Sequence, residues 1–364
     1  MSPVRVPVAV LARAQAALGD LRADAEVLIG GRAALLGLAP DGRISAGGAT
    51  RLLAGPDGWC ALTLSRPDDV DAVPALLGAD DLPDDMWSAI GRVIAETGVW
   101  VFAERARLLG LPVGVLGEAT EAPTALCRNG ERKAFGDLNG LLVADLSSMW
   151  AGPLCGRLLS DAGATVVKVE TRTRPDGTRQ GSAAFFDWMN SGKLAYAADL
   201  EDPGLRRLLG AADVVIESSR PAALQRRGLG PTDVAGPAGR VWVRITGHGT
   251  DGARADWVAF GDDAAVSGGL VSGSPADPRF CGDAIADPLT GIRAAAEVLA
   301  SRRRGGGELI ELSMAGVAAE YAQLPRGDEK PCVATPVAAP RGPALGADNA
   351  AVDRLVADRA TLPC

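Results

Sequence analysis

From Leu141 to Gly291 strand-like apolar runs alternate with helical segments. The runs LLVADL (141–146), TVVKVE (165–170), DVVIES (213–218) and VWVRITG (241–247) read as strands, with the helices PLCGRLLSDAG (153–163) and LRRLLGAA (205–212) between them. Strands joined through helices pair in parallel by right-handed crossovers, which leaves few topologies open. The expected class is α/β, with a Rossmann-like parallel sheet in a large domain. The alternation closes on AIADPLTG (284–291), where Asp287 stands at the start of a long helix, DPLTGIRAAAEVLASRRR, followed by the strand ELIELSM (308–314).

A chain of 364 residues has room for two domains. Residues 1–120 predict a small α+β domain. It opens on the amphipathic helix VPVAVLARAQAALGDL and continues through the glycine-rich turn SAGGAT, a hairpin turn at Pro56–Gly58 and the strand WCALTL. A helix capped near Asp68 or Asp69, the helix DMWSAIGRVIAETG and the strand LPVGVL complete it. Residues 121–137 lack periodicity and read as a linker. The large domain spans 138–320, and a Pro-rich tail, 321–364, ends in a helix whose Val352, Leu355 and Val356 share one face for packing on the large domain.

Composition excludes several classes. A net charge of -8 supplies no basic face for nucleic acid. No apolar run is long enough to span a bilayer, and no secretory leader pattern opens the chain, so a cytoplasmic protein without membrane contact is expected. Six cysteines (Cys60, Cys127, Cys155, Cys281, Cys332 and Cys364) lie without a C-x-x-C pair and read as reduced thiols. The single histidine, His248, rules out a multi-histidine metal site, and no metal is expected.

Ligands favour the carboxyl edge of a parallel sheet. There the first strand runs into DLSSMWAGPLCG, with Trp150 placed to touch a ligand. The loop lacks the G-x-G-x-x-G pattern, and Pro153 removes an amide a pyrophosphate would use, which counts against a dinucleotide despite Glu170 at the end of the second strand. Arg172, Arg174, Arg179, Arg220, Arg226 and Arg227 follow strand ends and together suit phosphates, although each alone fits a solvated surface. Asp287 before Pro288 reads equally as an N-cap, which stabilises by about 1 kcal/mol, and as a reactive carboxylate. At a helix start it is expected to stay ionised, near or below about 3.9. An ionised carboxylate attacks an acyl carbonyl without a general base. His248, between Gly247 and Gly249, lies in a loop after a strand. A loop histidine is more often structural, and without a nucleophile elbow a hydrolase triad has little support.

The segments LNGLLVADLSSMWAGPLCGRLLSDAGATVVKVE, NSGKLAYAADL, ADVVIESSRPAALQRRGLG, RITGHGTDG, VSGGL, IADPLTG and RRRGGGELIELSM, in that order over about residues 138–320, resemble the family III CoA-transferases, the CaiB/BaiF family. The resemblance implies that Asp287 forms acyl and CoA-thioester intermediates. It also implies that coenzyme A is the substrate, shuttled between an acyl-CoA and a carboxylic acid, and that the protein is a homodimer. It matches Ser148, Met149, Trp150 and Ala151 to a CoA contact segment, Arg172 to a basic position after the second strand, Ser218 and Ser219 to an Asn-Phe pair, and Arg226 to a phosphate-region arginine. Amides at the helix start and in the Gly247–His248–Gly249 loop are candidates for an oxyanion. Ser148 and Trp150 depart from residues that formyl-CoA transferases use, which counts against formate and oxalate. The small domain precedes the large one here, a rearranged order close to a circular permutation. Acyl-CoA racemases of the same family use a histidine where this chain has Phe260, so a racemase or isomerase stands as an alternative beside a non-catalytic CoA-binding protein.

Overall fold

The computed structural model describes residues 3–120, 124–134 and 138–361. Cys364 and parts of the expected linker, 121–123 and 135–137, lie outside the described residues.

The amino-terminal stretch holds β1 (Arg5–Pro7), α1 (Val8–Leu18), α2 (Ala25–Leu36), β2 (Thr50–Gly55), β3 (Gly58–Thr63), α3 (Pro67–Asp71), α4 (Val73–Leu77), α5 (Met86–Thr97), α6 (Val99–Leu108) and β4 (Val113–Val115). Next come β5 (Ala125–Arg128), β6 (Leu142–Asp145), α7 (Ala151–Asp161), β7 (Thr165–Glu170), α8 (Ala183–Asn190), β8 (Leu194–Ala197), α9 (Pro203–Ala211), β9 (Val214–Glu217) and α10 (Pro221–Gln225). The remainder is β10 (Val241–Thr246), α11 (Gly261–Ser267), β11 (Val271–Ser274), β12 (Asp277–Phe280), α12 (Ala286–Arg303), β13 (Glu308–Ser313), α13 (Met314–Ala322), β14 (Glu329–Pro331) and α14 (Asn349–Thr361).

Seven strands form the main sheet in the order β5-β13-β10-β9-β6-β7-β8. All pair in parallel except β5, which runs antiparallel to β13 at the edge. The six parallel strands, taken in chain order, lie as third, second, first, fourth, fifth, sixth, the doubly wound arrangement whose order reverses between β6 and β9. Every residue of β6, β9 and β10 is buried, as continuous apolar runs covered on both faces require. The antiparallel β5 lies in the segment expected to be only a connection. Its four exposed side chains carry no apolar alternation, so the edge pairing rests on backbone hydrogen bonds alone.

One face of the sheet carries α7, α12 and α1–α2 in a core that runs from Val4 to Cys332. The helices of residues 8–36 therefore belong to the large core, and β1 pairs with β14 from the tail. The other face carries α9 and α14, with Val352 and Val356 buried beside Leu205, Leu208 and Trp242. A second sheet, β2-β3-β4, has its own core against α3–α6, from Cys60 to Val115. It docks on α11 through buried polar contacts. Thr63 Oγ1 donates to Asp263 at 2.7 Å and Thr50 Oγ1 to Asp262 at 3.3 Å.

Among the described residues no helix is long and apolar enough to cross a membrane.

Candidate functional site

The loops that leave β6, β7, β9 and β10 all open at the carboxyl edge, and the point where strand order reverses lies between β6 and β9. Ser148 and Ser218 meet there, the Ser148 amide donating to Ser218 Oγ at 3.3 Å. Ser148, Ser218 and Met149 are exposed, and Ser219 is partly exposed.

The turn from β6 into α7 is held by two buried ion pairs. Lys168 Nζ lies 2.7 Å from Asp176, and Lys193 Nζ 2.9 Å from Asp145, with all four side chains fully buried. Lys168 also donates to the Ser147 carbonyl, and Asp176 accepts the Met149 amide at 3.2 Å. Asp145 accepts the Ser147 amide at 3.1 Å, and Lys193 donates to the Pro153 carbonyl at 2.8 Å. Burial opposes the charge on Asp145, yet Lys193 and Lys168 outweigh it and hold its pKa below the usual carboxylate range. The clamp keeps Met149 at a φ of 72°, a left-handed conformation that a non-glycine residue holds only where its surroundings impose it. A Cβ at Gly152 would lie 2.2 Å from the Ser147 side chain, so only glycine lets the helix start this close to the turn.

Trp150, expected to touch a ligand, is buried in the core. It is 2% exposed, edge-on to Phe185 at 5.3 Å, with the Arg32 guanidinium 5.3 Å from its ring centre. The phosphate cluster expected from the six arginines also divides. Arg179 is bound to Glu170 at 2.6 Å and to the Pro343 carbonyl, and Arg227 pairs with Glu201 at 3.2 Å. Glu170, committed to Arg179 and to the Asp176 amide, is no free acid for a ribose. Arg172, Arg174, Arg220 and Arg226 stay exposed.

Asp287 is the second residue of α12, not its cap; Ile285 holds the cap position in helical conformation. Its carboxylate reaches across to the neighbouring helix, where the Ala151 amide, first in α7, donates to it. This crossing depends on Gly291, one turn on, where a Cβ would stand 2.6 Å from the Ala151 carbonyl and 3.0 Å from Leu154. Gly261 is constrained in the same way, since a Cβ there would lie 2.4 Å from Asp287 Oδ2.

Contrary to the expectation of a low value, burial pushes the Asp287 pKa up to about 7. Arg32 and the Ala151 amide oppose that rise, while Asp262 and Asp283 add to it. Asp283 is fully buried, its pKa raised to about 6 by burial, and its one ionic partner among the described residues is Arg32 at 3.5 Å. Asp262 accepts the Ala284 amide at 2.9 Å and so fixes the turn that starts α12, in which Ala284 has a φ of 43°. Arg32 comes from α2, about 250 positions upstream, in a helix whose sequence carries no chemical motif. The nearest signal to it was SAGGAT, for Gly47 lies against Arg32 Nη2.

In the loop after β10, the Gly249 amide is engaged by Thr246 Oγ1 at 2.9 Å, and the Gly247 carbonyl accepts the Ala315 amide at 3.0 Å. His248 is edge-on to Trp257 at 5.3 Å, with both ring nitrogens buried. Burial, then Arg107 and Arg254, lower its pKa to about 3, which keeps the ring neutral.

The fold and site together define a doubly wound α/β protein with a titratable carboxylate between two facing helix starts at the carboxyl edge of its sheet. The chain belongs to CoA-transferase family III, whose sequence model matches residues 138–343. It is 34% identical over 208 residues to the succinate–glutarate CoA-transferase of Agrobacterium fabrum, covering 50% of this chain and 51% of that protein. It is 30% identical over 196 residues to the succinyl-CoA–D-citramalate CoA-transferase of Chloroflexus aurantiacus, covering 49% of each. A solved hypothetical protein from Mycobacterium tuberculosis aligns with a TM-score of 0.47 at 30% identity, covering 51% of this chain and 57% of that one. The chain spans about half the length of the curated relatives it matches.

Proposed function

We propose that the protein transfers coenzyme A between an acyl-CoA and a carboxylic acid through covalent intermediates on Asp287. The observation that carries this reading is the Asp287 carboxylate itself, on a partly exposed residue, lying at the starts of α12 and α7 with the Ala151 amide on it. The ionised carboxylate attacks the donor thioester carbonyl and expels CoA thiolate, leaving a mixed anhydride. The thiolate then attacks the Asp287 carbonyl, releases the donor acid and forms an aspartyl-CoA thioester. The acceptor carboxylate attacks that thioester and expels CoA thiolate, which takes the new acyl group and frees Asp287. Helix-start amides are the first candidates for the oxyanion, at roughly 3 kcal/mol for each well-aligned donor, and of the Gly247–His248–Gly249 loop the Gly249 amide is already engaged by Thr246.

The CoA body is assigned to the carboxyl edge, along Ser148, Met149, Ala151, Ser218 and Ser219, with Arg172 and Arg226 toward its phosphates. Trp150 supports that wall from behind. Racemisation finds no support at Phe260, which has no titratable group and precedes the Gly261 that touches Asp287, or at His248, which stays neutral. The rearranged domain order belongs to the same reading: the small β2-β3-β4 unit precedes the matched segment in sequence and packs on α11. A cytoplasmic homodimer goes with this reading; Trp100, Val101 and Leu108 of α6 give an exposed apolar surface for an interface.

The deciding experiment incubates the protein with an acyl-CoA and hydroxylamine and maps the mass change. Transfer through Asp287 leaves a hydroxamate on its peptide, and Asp287→Asn abolishes both adduct and turnover while the fold persists. Turnover by that variant at the wild-type rate would refute the assignment.

A further inference from the structure

A cavity of about 460 Å3 opens at the amino edge of the main sheet, opposite the carboxyl edge described above. The segment Pro231–Arg240 that leads into β10 forms one wall, and Arg128–Glu131, at the end of antiparallel β5 beside the start of β13, forms the other. Arg240 lines it at 6% exposure. Its Nη2 donates to the carbonyls of Pro231 at 3.1 Å and Val234 at 2.7 Å, but its buried Nη1 has no hydrogen-bond partner. Burial alone lowers its pKa, with no acidic group near enough to offset it. Among the described residues, two carbonyls and the Trp242 ring, whose centre lies 5.3 Å from the guanidinium, are the partners its charge has, and no carboxylate stands beside it, which leaves capacity for an anion.

We propose that this amino-edge cavity is an oxyanion site that takes a phosphate-bearing small molecule, with Arg240 and Arg128 as its cations. Two arginines against the single acid in its wall, Glu131, leave a net positive lining inside a chain of net charge -8. Gly236 carries no side chain over the guanidinium; a Cβ there would stand 2.3 Å from Nη1. Planar donor forks match the paired oxygens of a phosphate, and two cations suit its double charge better than the single charge of a lone carboxylate. The site is separate from Asp287 and does not depend on the transferase reading.

The test is a calorimetric titration of the full chain with inorganic phosphate at low salt, repeated with succinate and with coenzyme A present at saturation. A saturable phosphate isotherm is expected that persists with coenzyme A bound and exceeds the succinate response. Arg128 and Glu131 are surface residues whose replacement leaves the core intact. Arg128→Gln should weaken phosphate roughly fivefold, and Glu131→Gln should strengthen it by a similar factor. Arg240→Lys should weaken it further. Absence of binding, loss of the isotherm when coenzyme A is present, or affinities unmoved by both wall substitutions would overturn the proposal.

Discussion

For the proposed transfer Asp287 has to be a carboxylate, yet its surroundings favour the neutral acid, and one cation, Arg32, is shared between it and two more aspartates. Turnover should therefore climb with pH through the region of 7, where Asp287 ionises. Arg32→Gln should move that rise to higher pH, and Asp283→Asn should move it lower by leaving Arg32 to Asp287; pH–rate profiles of kcat/KM read both. The stability consequence has the opposite sense. Because the folded value lies above the unfolded one, the native state holds its proton more tightly, and stability is lost as pH rises from about 4 through 7. Asp287→Asn should accordingly raise stability at pH 8 by about 1 kcal/mol or more and change it little at pH 4, as measured by urea unfolding. Its place before Pro288 left Asp287 between an N-cap and a reactive carboxylate, and its titration was not legible at all, because that depends on Arg32, Asp262 and Asp283, which only the fold gathers.

At the scale of elements, the interval of four residues from Asp287 to Gly291 has a mechanical meaning. Gly291 lets α12 press on α7, and that contact delivers the Ala151 amide to Asp287. Gly291→Ala should cost roughly 1–3 kcal/mol by overpacking and lower turnover beyond what the lost stability explains, since the helices must part. Chemical denaturation beside kcat/KM separates the two effects. Strands β6, β7, β9, β10 and β13 were readable as apolar runs, and α12 as a long capped pattern. Strand β8, two of whose four residues are alanine, and exposed β5 carried too little apolar signal to be seen.

Over the whole molecule, helices from the first 36 residues and the closing helix cover opposite faces of one sheet, so both ends of the chain are structural parts of the large unit. Local pattern placed the first helix with the small unit, since periodicity marks a buried stripe without saying which partner buries it. Val352 of α14 is fully buried against the α9 face. Val352→Asp should destabilise by roughly 3 kcal/mol or more through an unpaired buried charge, and a drop in melting temperature with early aggregation is the readout. The β6–α7 turn has a further consequence. Clamped by Lys168 and Lys193 with Met149 already in its costly conformation, it has little left to order if, as proposed, coenzyme A docks along it. Nearly all of the freedom lost in docking then belongs to the pantetheine arm, and fragments that keep the nucleotide but shorten that arm should retain a disproportionate share of the binding.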